Sequence, residues 1–149
     1  MSSPAQGFKK LHVEVLRRDA DQAEMVSPQW RVTLATTSEK PVGAPSPTLT
    51  LLGALAACTL SGIRRGAQAG GLHIDDAKVV VDATRAPTPE PHFQDVKVHI
   101  TVFSPEAKER LTPMLEALKS NGTVTNTLKQ ATDLTLTYEI VSTAKSSAT

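Results

Sequence analysis

Leu11, Val13 and Val15 alternate with His12, Glu14 and Leu16, and Trp30, Val32 and Leu34 alternate with Arg31, Thr33 and Ala35. A period of two predicts two half-buried strands, expected to pair as neighbours. Gly43-Ala-Pro-Ser-Pro47 then halts any strand. Ser46 is a good helix cap, with Pro47 at the first helical position, so a helix is expected from there through Cys58 to about Ala69, ended by Gly70-Gly71. From Leu49 to Leu60 the helix is apolar nearly all round, the pattern of a helix covered on most sides. Gly53, Ala57 and Ser61 form one stripe four residues apart, and Ala54, Cys58 and Gly62 the next. Small side chains at that spacing allow another backbone to come close, and a helix of a second subunit is a natural candidate.

Further on, Ala77, Val79, Val81 and Ala83 alternate with Lys78, Val80, Asp82 and Thr84, and Val96, Val98, Ile100 and Val102 with Lys97, His99 and Thr101, which predicts a hairpin. Its connection, Ala86-Pro-Thr-Pro-Glu-Pro91, is too rich in proline to pair and is expected as a loop. A second helix is expected from Ser104-Pro105-Glu106, with Leu111, Met114, Leu115 and Leu118 inward, Pro113 kinking or dividing it, and Asn121-Gly122 as its stop. A short helix from Thr125 to Ala131 and a strand through Leu134, Leu136, Tyr138 and Ile140 complete the chain. Strands, long helix, strands, helices, strand is an order that predicts an α+β fold with a largely antiparallel sheet and helices on one side. The 149 residues are expected to form a single domain, 1–149, with ends that fray at about 1–7 and 143–149.

Charge narrows the function. Sixteen Lys and Arg face 15 Asp and Glu, scattered along the chain, so no basic footprint for nucleic acid or anionic lipid exists. No apolar run approaches the ~20 residues of a membrane span, and the start lacks a secretory layout, so a cytoplasmic protein is expected. The four histidines, His12, His73, His92 and His99, have no metal-ligand spacing, and no phosphate-binding glycine motif is present; neither metal nor cofactor is expected. His12 and His99 read as strand residues on a polar face. Asp75, Asp76, Asp95 and Asp133 sit where strands begin, as turn aspartates do.

Cys58 is the only cysteine, so any thiol chemistry must use an outside reductant or a second subunit. Its simplest reading is a small buried hydrophobe. As a nucleophile it would need a cation, because it lies mid-helix; Arg65 along the same face and Arg31 from the strands are the candidates.

Gly43-Ala-Pro-Ser-Pro47 leading into Leu51-Leu-Gly-Ala-Leu-Ala-Ala-Cys-Thr59, then Ser104-Pro-Glu-Ala-Lys-Glu-Arg-Leu111 and Val124-Thr-Asn-Thr-Leu128, resemble in order and spacing the OsmC/Ohr family of osmotically inducible and organic hydroperoxide resistance proteins. The resemblance covers about Leu11 to Val141. It implies an OsmC-like fold, an intertwined homodimer with buried cysteine-bearing helices, a bacterial and cytoplasmic origin, and a thiol peroxidase chemistry for organic hydroperoxides under oxidative stress. It puts Cys58 at the peroxide-attacking cysteine. Gly122 holds the place of the resolving cysteine, and Leu49 that of a glutamate early in the long helix; the family's arginine is not assigned among Arg17, Arg18 and Arg31. The resemblance thus implies a member that has lost its resolving cysteine and is weak or inactive as a peroxidase. The alternatives are a one-cysteine peroxidase served by an external thiol and a binder of an apolar ligand between subunits.

Overall fold

A computed structural model describes residues 7–145. The residues cluster into two compact units that divide between Thr50 and Leu51. In the first, β1 (Glu14–Arg17), β2 (Gln22–Val26) and β3 (Arg31–Ala35) form an antiparallel sheet in that order. The two expected strands are therefore not neighbours. Between them runs β2, in which Gln, Ala, Glu and Met favour helix by propensity and are turned to strand by pairing on both edges. Asp19 makes the preceding turn, its carboxylate accepting the N–H groups of Asp21 and Gln22 at 2.8 and 2.9 Å. Those bonds hold its pKa below the usual carboxylate value. Nor is β1 half-buried: all four of its residues are exposed.

From the end of the first unit into the second runs α1 (Pro47–Gly70), as expected from its cap and its glycines. The Leu49 N–H points at Ser46 Oγ, 3.4 Å away, and Gly71 takes the positive φ of 60° that stops the helix. By length and composition α1 is able to cross a bilayer, which a count of uninterrupted apolar residues overlooks because Thr and Ser punctuate it. Its packing gives it another role: Leu55, Ile63 and Ala67 enter the core of the second unit.

That unit holds the hairpin of β4 (Asp76–Arg85) and β5 (Phe93–Ser104), α2 (Lys108–Asn121), α3 (Thr123–Ala131) and β6 (Asp133–Ser142). β4 pairs antiparallel with β5, but β6 lies parallel to β5, reached by the crossover through α2 and α3. The antiparallel expectation thus fails for one pair of the four. Val96, Val98, Ile100 and Val102 turn one face of β5 to the helices, where Leu111, Leu115 and Leu118 of α2 meet them; each such side chain buried contributes about 1.5–3 kcal/mol. Helix α2 starts four residues later than expected. Ser104 is the last rung of β5, fully buried, and its hydroxyl donates to the His73 carbonyl at 2.6 Å and accepts from the Glu106 N–H at 3.1 Å, so it is not free to cap. Pro113 does not divide α2, which runs on through it. Of the ends expected to fray, residues 1–6 and 146–149 lie outside the described residues, and Thr143 is tied down, its N–H donating to the Ser104 carbonyl at 2.8 Å.

Candidate functional site

Cys58 sits in the middle of α1, three turns from its first residue, on the stripe with Ala54 and Gly62. Within the single chain it is partly exposed. Just across from it is Gly122, the buried residue that joins α2 to α3. A Cβ added at Gly122 would lie 3.2 Å from Cys58 Sγ and 3.1 Å from the hydroxyl oxygen of Thr125. Across a disulfide, Cβ and the far sulfur are about 3 Å apart, as follows from an S–S bond of ~2.05 Å. Position 122 is therefore where a second cysteine would have to stand to close a bond on Cys58. Local geometry fixes it there: Gly122 is the N-cap of α3 with an ordinary extended backbone, and its carbonyl accepts the Asn126 N–H at 2.8 Å.

Thr125, only 2% exposed, is the third wall of this notch. Sequence periodicity offers no hint of it; the only signal is that it falls within the Val124–Leu128 stretch. Next to it Asn126 donates from its amide to the Ser120 carbonyl at 2.8 Å, which ties α3 back to the end of α2, while its Oδ1 is buried without a partner.

The groups that would activate a thiol are elsewhere engaged. Arg65 donates to Ser61 Oγ at 3.0 Å, and Arg31 is paired with Glu24 at 3.1 Å within the first unit. The first turn of α1 contains no acidic residue, and Leu49 is 60% exposed. Arg17 and Arg18 flank the Asp19 turn. Among the described residues no group of three or more His, Cys, Asp or Glu is placed to hold a metal. His73 bonds Asp75 at 2.7 Å and His92 the Glu90 carbonyl at 2.7 Å; His99, on the exposed face of β5 as expected, meets Thr137 at 2.8 Å, while His12 precedes β1. Two open clefts flank the later part of α1. One of about 520 Å³ is lined by Gly66, Ala69, Leu72, Pro113 and Met114 among others. The other, of about 400 Å³, is lined by Leu60, Ile63, Ala67 and Ile74, with Arg64 and His73 also in its wall. Cys58 lines neither.

Comparison with known proteins bears on this arrangement. The family model described as OsmC-like protein matches residues 36–137. Among solved structures, an OsmC-like protein from Mycoplasma pneumoniae superposes with a TM-score of 0.78 at 20% identity, covering 89% of this chain and 98% of that one. An organic hydroperoxide resistance protein OsmC from Legionella pneumophila gives 0.68 at 17% identity over 90% and 99% of the two chains. An organic hydroperoxide resistance protein from Elizabethkingia anophelis gives 0.69 at 10% identity over 90% and 100%. At these identities the structures speak for a shared fold. No curated protein matches the chain.

Proposed function

The chain belongs to the OsmC-like family, and from that membership we propose that it is a redox protein of the oxidative-stress class whose single thiol has no built-in way back, leaving it weak or inactive as a hydroperoxidase on its own. In such chemistry a thiolate attacks an organic hydroperoxide, becomes a sulfenic acid, and is returned to thiol through a disulfide. The observation that carries the proposal is Gly122, which stands at disulfide distance from Cys58 and carries no sulfur. The activating side is equally spare, with no carboxylate in the first turn of α1 and with Arg65 turned to Ser61. The names of two structural neighbours, organic hydroperoxide resistance proteins, support the class of oxidant. The working form is a homodimer in a reducing, bacterial cytoplasm, without nucleic acid, membrane, metal or cofactor.

A second reading is favoured by the partial exposure of Cys58. An external thiol reaches the oxidised sulfur directly, and the chain turns over as a one-cysteine peroxidase. Peroxide consumption separates the two. With cumene hydroperoxide and no added thiol, the protein consumes no more than one equivalent per Cys58; sustained consumption under those conditions would contradict the proposal. Continued turnover on adding dithiothreitol, abolished in Cys58→Ser, would establish the second reading in its place.

A further inference from the structure

Ser104-Pro-Glu106 takes no part in the thiol chemistry, and its side chains have a different task in the second unit. The turn between α1 and β4 leaves the helix at Gly71 and sets Leu72 and Ile74, both half-buried, against the core. Between those two anchors the His73 peptide groups have no backbone partner among the described residues. Side chains after β5 satisfy them instead: the His73 N–H donates to Glu106 Oε1 at 2.9 Å, and the His73 carbonyl accepts the Ser104 hydroxyl at 2.6 Å. Glu106 is itself held, its N–H donating to Ser104 Oγ at 3.1 Å and its other carboxylate oxygen paired with Arg110. Asp75 fastens the same turn to the end of β6. Its carboxylate accepts the Thr143 hydroxyl and meets the His73 ring at 2.7 Å, while its N–H donates to the Phe103 carbonyl at 2.9 Å. Leu72, beneath this clasp, lines both of the clefts beside α1.

We propose that residues 71–75 are an acid-released strap: with Glu106 and Asp75 ionised it is latched along the two clefts, and when they take up protons it lifts as a unit and joins the clefts while the sheet stays folded. Protonation weakens Glu106 as the acceptor of the His73 N–H and removes its charge from beside Arg110, and it acts in the same way on Asp75 beside the His73 ring. The groups that face the pair are Arg110 from α2, His73 from the turn itself and the uncharged Thr143 from beyond β6. Arg64 of α1 shares a cleft wall with His73, Glu109 of α2 shares the other with Arg110, and Asp76 of β4 is occupied by the Ala77 N–H at 2.8 Å. The His73 N–H first, for Glu106, and the Thr143 hydroxyl first, for Asp75, hold the two carboxyls below their ordinary values. The latch is therefore at full strength above the ordinary carboxylate range and is lost as pH falls through the lowered folded values, below about 4. A half-exposed turn tied by few bonds is the kind of segment that opens ahead of the core.

The test is amide hydrogen exchange of the full chain, read by mass spectrometry and corrected for the intrinsic rate at each pH. The Leu72, His73 and Asp75 amides bond three different partners, the Ala67 carbonyl, Glu106 and the Phe103 carbonyl, so only a movement of the whole turn frees them together. From about pH 7 to about pH 3 their protection is expected to fall together by about tenfold or more, with the amides of β5 unchanged. Glu106→Gln and Asp75→Asn are each expected to lower that protection about three- to tenfold at neutral pH, the worth of one hydrogen bond, and the two combined to leave it flat with pH. A fall at His73 alone overturns the strap, because a single bond would then be lost without movement of the turn. Loss in step with β5, no dependence on pH, or an undiminished pH dependence in the combined variant overturns it as well.

Discussion

Among single residues, the proposed function rests on the pair Cys58 and Gly122. Gly122 has φ −99°, which any residue adopts, so a larger side chain meets no backbone penalty there. Its Cβ would press on Thr125 Oγ1 at 3.1 Å, and a shift of a few tenths of an ångström relieves that. Gly122→Cys is therefore expected to form an intramolecular disulfide with Cys58 on mild oxidation, seen as the loss of two hydrogens by intact mass and of both free thiols by titration. Two thiols that stay free under oxidant would show that the notch is not a resolving position. The residues themselves told half of this. A lone cysteine is visible in any composition count, but its nearness to Gly122 is a long-range contact that no local pattern encodes, and only resemblance pointed to it. Thr125 lies beside the apolar stripe of α3, Val124 and Leu128, and not on it, so its place within that stretch was the only signal of it.

At the scale of elements, small residues do bring backbones together, although along a partly different line from the one the helical spacing suggests. Within this chain the close approach of α1 is to α2: a Cβ at Gly62 would fall 2.7 Å from Leu118 Cδ2, and one at Gly66 2.6 Å from Met114 Cγ, whereas Gly53 meets nothing within 4 Å. Gly66→Ala gains about 1 kcal/mol of helix propensity and loses roughly 1–3 to overpacking, so a net loss of about 1 kcal/mol in urea unfolding is expected. A stabilised variant would mean that α2 yields freely there. The loops between elements carry a second prediction. Asp75, after α1, bonds His73 at 2.7 Å and accepts the Thr143 hydroxyl beyond β6. The Thr143 bond first, and then His73, hold the Asp75 pKa below its ordinary 3.8. A carboxylate with a lowered folded pKa stabilises in full above the unfolded value and loses that contribution as pH falls through the folded one. Stability is thus expected to drop as pH goes below about 3.8, and Asp75→Asn is expected to flatten that part of a melting-temperature profile. An unchanged acid limb would remove this tie from the account.

The same scale shows why boundaries were harder to read than elements. Alternation located β3, β4, β5 and β6, and cap and glycine signals located α1 to its ends, because those patterns are local. Gln22 to Val26 lacks alternation and becomes β2 only through its two neighbours. The direction of β6 depends on the crossover before it and on no residue within it.

For the whole molecule, the apolar surface is unevenly hidden. Leu49, Leu51 and Leu60 of α1 are 60, 41 and 39% exposed, and Val15, Leu16, Trp30 and Val32 of the first unit are also open. Exposed apolar side chains, on α1 and separately on the first unit's sheet, are what an interface would cover. The proposed dimer is checked by size exclusion with light scattering: a particle of about 32 kDa, twice the 15.9 kDa chain, is expected at micromolar concentration, and Leu51→Asp is expected to shift it toward the single chain. A natural chain of about 16 kDa under the same conditions would contradict the dimer. The nearly all-round apolar character of Leu49 to Leu60 is legible in the sequence, and within this chain Leu49, Leu51 and Leu60 stay exposed.

Whether Cys58 is a redox thiol without an internal partner is read by intact mass spectrometry of the protein after one equivalent of cumene hydroperoxide, with dimedone present. One dimedone adduct, located at Cys58, and in a parallel sample without dimedone an oxidised Cys58 that forms no intramolecular disulfide, are the predicted results. Persistence of the unmodified mass, or peroxide loss that continues in Cys58→Ser, would contradict it.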